Sequence, residues 1–149
     1  MGYVNVQLNE AVKTKTFEQN YPYWHHVWTY FTDDYEKAIV QCWREETAVI
    51  EELKTMTNRV RPEGLIVEVT LPLNEKTRTY FTERAAAGHQ LKWFNVFLHD
   101  RHNREGIEFH NYGKEISFNH VTRSDAEDLV TFFESIEANV QFVPDELDD

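Results

Sequence analysis

The chain is predicted to fold as an α+β protein, a largely antiparallel sheet of about five to six strands with three helices packed mainly on one face. Three observations carry that prediction: a hairpin with an unambiguous register near residue 112, apolar runs with strict alternation elsewhere, and capped stretches with apolar residues at three- and four-residue steps. At 149 residues, with 41 % hydrophobic and 14 % aromatic side chains, the chain is long enough to bury a sizeable core as one domain over residues 1–149.

The hairpin is the surest element. Ile107-Glu108-Phe109-His110 and Ile116-Ser117-Phe118-Asn119 flank Asn111-Tyr112-Gly113-Lys114. A turn centred on Tyr112-Gly113 sets Phe109 opposite Ile116 and Ile107 opposite Phe118, so both apolar pairs share one face. Glu108 then faces Ser117 and His110 faces Glu115 on the polar side. Gly113 supplies the positive φ that a tight turn requires.

From the N-terminus, Val4, Val6 and Leu8 alternate with polar neighbours, which predicts a strand over residues 3–8. Asn9 to Gln19 reads as either a short helix or a loop. The aromatic run Tyr21 to Phe31 favours a strand from about His26, with a helix through the same residues as the alternative. Thr32 or Asp33 has the character of an N-cap for a long helix whose apolar stripe is Ala38, Ile39, Cys42, Trp43, Val49, Ile50, Leu53 and Met56. Arg61-Pro62-Glu63-Gly64 ends it. Leu65, Val67, Val69 and Leu71 mark a strand closed by Pro72. Asn74 caps a helix over about Glu75 to Ala87, with Gly88 placed for a left-handed C-terminal residue. Trp93 to Leu98 is apolar on both faces and reads as an interior strand. Ser124-Asp125-Ala126-Glu127 has the form of a capping box, starting a helix that buries Ala126, Leu129, Val130, Phe133 and Ile136. Val140 to Val143 is a short closing strand before Pro144 and an acidic tail, 145–149, that is expected to fray.

Charge bounds the function. The net charge of −11 opposes binding to a polyanion, and residues 123–149 hold nine acidic residues against one basic, −8 of that total. Cys42 is a single cysteine without an internal partner, and no signal-like or membrane-length apolar run is present. A cytoplasmic protein with no membrane contact and no direct nucleic-acid binding is the expectation.

Seven histidines are the candidates for chemistry. His99, Asp100 and His102 could hold a metal if His110 arrived from the hairpin, but loop spacing does not set a coordination geometry, and a solvated loop is the simpler reading. Neither metal nor cofactor is expected. His120-Val121-Thr122 is similar to one half of the paired His-x-Thr motifs of two-histidine phosphoesterases, of which a second copy is missing here. Tyr30-Phe31-Thr32-Asp33-Asp34-Tyr35-Glu36-Lys37-Ala38 is loosely similar to a segment of ADP-ribosyltransferase folds. The first strand lacks that family's paired catalytic Arg or His, and no residue is carried over.

Two functional readings follow. The leading one is a small acidic intracellular binding protein of the inhibitor, immunity or nucleic-acid-mimic kind, which engages a basic protein partner through Asp125, Asp128, Glu134 and Glu137. The aromatics Tyr23, Trp24 and Trp28 would be its interface anchors. The alternative is a small histidine-dependent enzyme acting on a phosphoryl or ribosyl substrate, with His99, His102, His110 and His120 as its catalytic candidates. The lack of a phosphate loop, nucleophile elbow or Cys-x-x-Cys pair tilts the reading away from catalysis.

Overall fold

The hairpin register read from the sequence is the one observed: Ile107 pairs with Phe118, Glu108 with Ser117, Phe109 with Ile116 and His110 with Glu115. The structure, a computed structural model, describes residues 1–145. In chain order the strands are β1 (Gly2–Gln7), β2 (Tyr35–Trp43), β3 (Val60–Glu63), β4 (Ile66–Pro72), β5 (Ala86–Ala87), β6 (Gln90–Leu91), β7 (Asn95–Asp100), β8 (Glu105–His110), β9 (Glu115–Val121) and β10 (Asn139–Pro144). The helices are α1 (Phe17–Asn20), α2 (Trp24–Tyr30), α3 (Thr47–Lys54), α4 (Glu75–Glu83) and α5 (Arg123–Ser135). Eight strands form one antiparallel sheet in the order β10-β1-β9-β8-β7-β2-β4-β3, and β5 and β6 pair separately.

One face of the sheet carries the core. Val4 and Val6, Ala38, Val40 and Cys42, Val67, Val69 and Leu71, Val96 and Leu98, Ile107 and Phe109, and Ile116 and Phe118 are all buried on it. They pack with Trp24, Val27 and Trp28 of α2, Ile50 and Leu53 of α3, Tyr80 and Phe81 of α4, and Ala126, Leu129 and Phe133 of α5. Residues of opposite parity, such as Gln41, Glu68, Phe97, Glu108 and Ser117, are only partly buried, so the second face is the more open of the two.

The expected α+β architecture with a large antiparallel sheet is present, with eight strands in that sheet and five helices among the described residues. The largest difference lies between residues 33 and 56. The single long helix expected there is instead strand β2, a tight turn and the short helix α3. Ala38, Val40 and Cys42 alternate with Lys37, Ile39 and Gln41, a period-two pattern in which the first set is fully buried and the second faces the open side. β2 pairs along its length with β4 on one edge and β7 on the other, so both sides of its backbone are hydrogen-bonded. Glu46 closes the turn by accepting from the Trp43 amide at 2.8 Å.

The smaller differences, and the stretch left open between helix and loop, have local causes. The aromatic run takes its helical alternative, because Trp24, Val27 and Trp28 at steps of three and four all reach the core from α2. Within the weak stretch before it, Thr16 and Gln19 form a capping box for α1. Asn74 caps α4 as expected, but α4 ends at Glu83, and Gly88 (φ +66°) lies in the turn of the β5–β6 pair. Thr122, rather than Ser124, caps α5, its hydroxyl accepting from the Asp125 amide at 3.1 Å. Pro62 falls in β3, an edge strand, where its missing amide costs no ladder bond. Beyond Asp145, the acidic tail expected to fray lies outside the described residues.

Candidate functional site

At one end of the sheet, four segments meet around a cleft of about 540 Å³: the C-terminus of α2 with the loop to β2, the turn joining β7 to β8, the end of β9, and the first turns of α5. The first wall is held from inside. The hydroxyl of Thr32, fully buried, donates to the Trp28 carbonyl at 2.6 Å, and the Tyr35 amide donates to the Thr32 carbonyl at 3.1 Å. Arg78 of α4 then donates to the Thr32 carbonyl at 3.1 Å, to the Thr32 hydroxyl at 3.3 Å and to the Tyr35 carbonyl at 2.5 Å. With its carbonyls drawn inward to this guanidinium, the loop leaves Asp33 and Asp34 exposed. Tyr35 lies over Gly106, where a β-carbon would occupy the space of its ring. Burial pushes the Tyr35 phenol up to about 12, reinforced by the Asp100 and Asp34 charges and opposed by Arg104.

The opposite wall is the β7–β8 turn, organised by Asp100. Its carboxylate accepts from the His102 amide at 2.8 Å, the Arg104 amide at 3.0 Å and Arg104 Nε at 3.0 Å. The Arg104 backbone bond is foremost among the effects that hold this carboxyl below its usual range, against some desolvation. Arg101 donates to His102 Nε2 at 3.4 Å. His120 stands at the end of β9 with φ +56°, where the pairing of β1 with β9 shifts register. A left-handed conformation is costly for a residue with a β-carbon, so local tertiary structure imposes it.

Family models, curated proteins and solved structures give no match to this chain.

The cleft brings together Asp100, His102, His120 and Asp125 of the sequence candidates. His99 and His110 are not among its lining residues. His99 stands 3.4 Å from the Asn103 side chain, and His110 Nε2 lies 2.9 Å from Glu108 on the open face. Burial tends to raise the Glu108 carboxyl, but bonds from Asn119 and His110 outweigh it and hold the group below its usual range. Its neighbour Glu105 is raised, by burial first and then by the Glu108 charge. The possible ligands His99, Asp100, His102 and His110 do not converge, and among the described residues no three metal-binding side chains gather at one point.

The aromatic anchors belong to the core. Tyr23 and Trp24 are 0 % exposed and Trp28 is 5 % exposed, so in this structure they are not available to a partner. Each has an internal role: Tyr23 donates to the Gly113 carbonyl at 2.8 Å, Trp24 to the Phe81 carbonyl at 2.8 Å, and Trp28 stacks on Phe81. Asp125, Asp128, Glu134 and Glu137 are exposed along α5 and its C-terminal end. Cys42 is buried, and burial with the nearby Glu46 charge pushes its thiol up to about 12, away from the thiolate form that nucleophilic attack uses.

Sequence reasoning missed Asp33, Asp34, Tyr35 and Gly106 as one site. Asp33-Asp34 directly after an aromatic run is a visible signal, but by sequence alone Thr32 or Asp33 has equally the character of a helix cap. Gly106 carried no readable signal, because its role is to accept the ring of Tyr35.

Proposed function

We propose that this is a small acidic binding protein that engages a basic protein partner through α5 and the adjoining cleft, in the manner of an inhibitor or immunity protein. The observation that carries this reading is the state of the α5 carboxylates. Asp125, Asp128, Glu134 and Glu137 are exposed, and none enters an ion pair among the described residues. Lys54, Arg61, Arg84, Lys92, Arg104 and Lys114 all pair elsewhere with other carboxylates. Among the described residues these four carboxylates of α5 and its C-terminal end therefore have no ion-pair partner. Charge of one sign on one face speeds encounter with a partner of the opposite sign and selects against others. No helix of the described residues is long and apolar enough to cross a membrane, and a cytoplasmic setting is part of this proposal.

The test is association kinetics with the partner captured at low salt. Neutralising Asp125, Asp128, Glu134 and Glu137 to Asn or Gln should slow association and flatten its dependence on salt while the fold persists. Asp125 lies in the first turn of α5 and also favours the helix dipole, so a variant that retains it is the control. An unchanged rate and salt slope in both variants would remove α5 from the interface.

A second reading is favoured by one observation: His102 and His120 line the same cleft, and His120 is held at a costly φ. This is the histidine-dependent enzyme acting on a phosphoryl or ribosyl substrate. Turnover of such esters, lost in His120→Ala, would put it ahead of the binder.

A further inference from the structure

We infer that the cleft takes the guanidinium group of an arginine side chain presented by the basic partner, bound between Asp33, Asp34 and Asp125 against the ring of Tyr30. The inference rests on the proposed binding function and names the group that the partner supplies.

Its first support is the balance of charge. Asp33, Asp34, Asp100 and Asp125 line the cleft with Arg101 and Arg104. Arg104 is already bound to Asp100 at 3.0 Å, which leaves three carboxylates facing Arg101, with His102 and His120 also in the lining. The phenol of Tyr35 in the same cleft is raised by burial first and then by the Asp100 and Asp34 charges, with Arg104 opposing. An excess of carboxylates over guanidinium groups disfavours an anionic ligand.

Its second support is the wall chemistry. Tyr30 is 68 % exposed, with Phe31 and Tyr35 partly buried beside it in the same cleft. A planar cation stacks on such rings and bonds carboxylates along its edge, whereas an ammonium group is a more strongly hydrated point charge. The pairing of aromatic wall and carboxylates therefore selects arginine over lysine.

Its third support is preorganisation. Arg78 clamps the Thr32 and Tyr35 carbonyls, so the loop bearing Asp33 and Asp34 is set before a ligand arrives, and less ordering is needed on binding. Asp125 belongs both to the cleft and to α5. A partner steered by the helix is thus delivered to the cleft.

The full chain, labelled for amide correlation spectra, would be titrated with acetylated tri-arginine amide, and in parallel with the tri-lysine and tri-citrulline peptides. Saturable shifts at Tyr30, Asp33, Asp34 and Tyr35 are expected, strongest for tri-arginine and absent for tri-citrulline. The doubly substituted Asp33→Asn, Asp34→Asn protein should bind tri-arginine about fivefold more weakly, the effect of two exposed charge pairs. Both positions are exposed, and the dispersion of the variant's own spectrum reports its fold. Asp128→Asn with Glu134→Gln should weaken both cationic peptides alike. Salt-sensitive shifts confined to α5, with the Asp33, Asp34 variant binding like the parent, would overturn the cleft inference and leave the proposed function standing. Equal binding of tri-lysine and tri-arginine at the cleft would overturn the assignment to arginine. The absence of saturable shifts anywhere would overturn both the inference and the proposed function.

Discussion

Replacing Gly113 with Ala tests the packing of the hairpin against the aromatic core. Gly113 has φ +79°, and a β-carbon there would stand 2.7 Å from Tyr23 Oη and 2.7 Å from Leu91 Cδ2. Neither neighbour has a solvent-facing side to retreat to, since both are 0 % exposed. The left-handed conformation alone costs an L-residue about 1–2 kcal/mol. Overpacking a filled core adds about 1–3 kcal/mol. If Tyr23 shifts, its 2.8 Å bond to the Gly113 carbonyl is strained or lost, and leaving buried polar groups unsatisfied costs about 1–3 kcal/mol. Because one displacement relieves the clash while breaking the bond, the last two costs overlap, and a total of about 3–5 kcal/mol is expected. Gly88→Ala is the internal control: φ is +66°, but no atom lies within 4 Å of the added carbon, so only the conformational cost of about 1–2 kcal/mol applies. The assay is urea unfolding followed by tryptophan fluorescence, read as the shift in midpoint at constant m. Adding Tyr23→Phe to Gly113→Ala removes the atom being struck, so the double variant should be more stable than the sum of the two single changes. Equal costs at Gly113 and Gly88, or strict additivity in the double variant, would refute the clash.

Arg78→Ala should destabilise the protein by about 2–4 kcal/mol, because it strips a charged donor from two inward carbonyls; the same unfolding assay reads the loss, and a change below about 0.5 kcal/mol would mean that the loop is held by other contacts. Cys42 should resist thiol reagents in the folded protein at pH 8 and react at the rate of unfolding, since its thiol is raised to about 12; fast native-state labelling would contradict its burial. Glu52 bears on acid stability. Burial tends to raise its carboxyl, but bonds from Lys92 at 2.8 Å and Tyr80 at 2.6 Å, with the Lys92 and Arg84 charges, hold it below the ordinary 4.5. Its contribution is complete above that unfolded value and is lost as pH falls through the lower folded value, so Glu52→Gln should flatten the acid limb of the stability profile. An unaltered limb would show that other carboxylates set it. Glu105, raised on folding, acts with the opposite sign: its contribution is present below the unfolded value and lost as pH rises through the folded one.

What could be read in the residues alone was whatever depends on near neighbours. The β8–β9 register followed from alternation and one glycine, because a hairpin joins residues that are close in sequence. The same is true of Asn74 at the head of α4 and of the alternation in β1 and β4. The acidity of α5 was likewise visible, and the structure leaves those carboxylates exposed. Tertiary structure decided the rest. Ala38, Cys42 and Trp43 suit a helical stripe as well as Ala38, Val40 and Cys42 suit a strand, and the choice fell to β4 and β7, which pair with the two edges of β2 from later in the chain. The aromatic run went inward because the covered face of a broad sheet must be filled by large side chains, and Tyr23, Trp24 and Trp28 are the ones α2 presents to it. The cleft had no local pattern to betray it. Asp33 and Asp34 face it through a clamp from Arg78, Tyr35 reaches it across Gly106, and His120 and Asp125 arrive from the far end of the chain. Periodicity and capping are short-range physics, set by 3.6-residue turns and two-residue pleats, whereas a site built from four separate segments exists only once the sheet has brought them together.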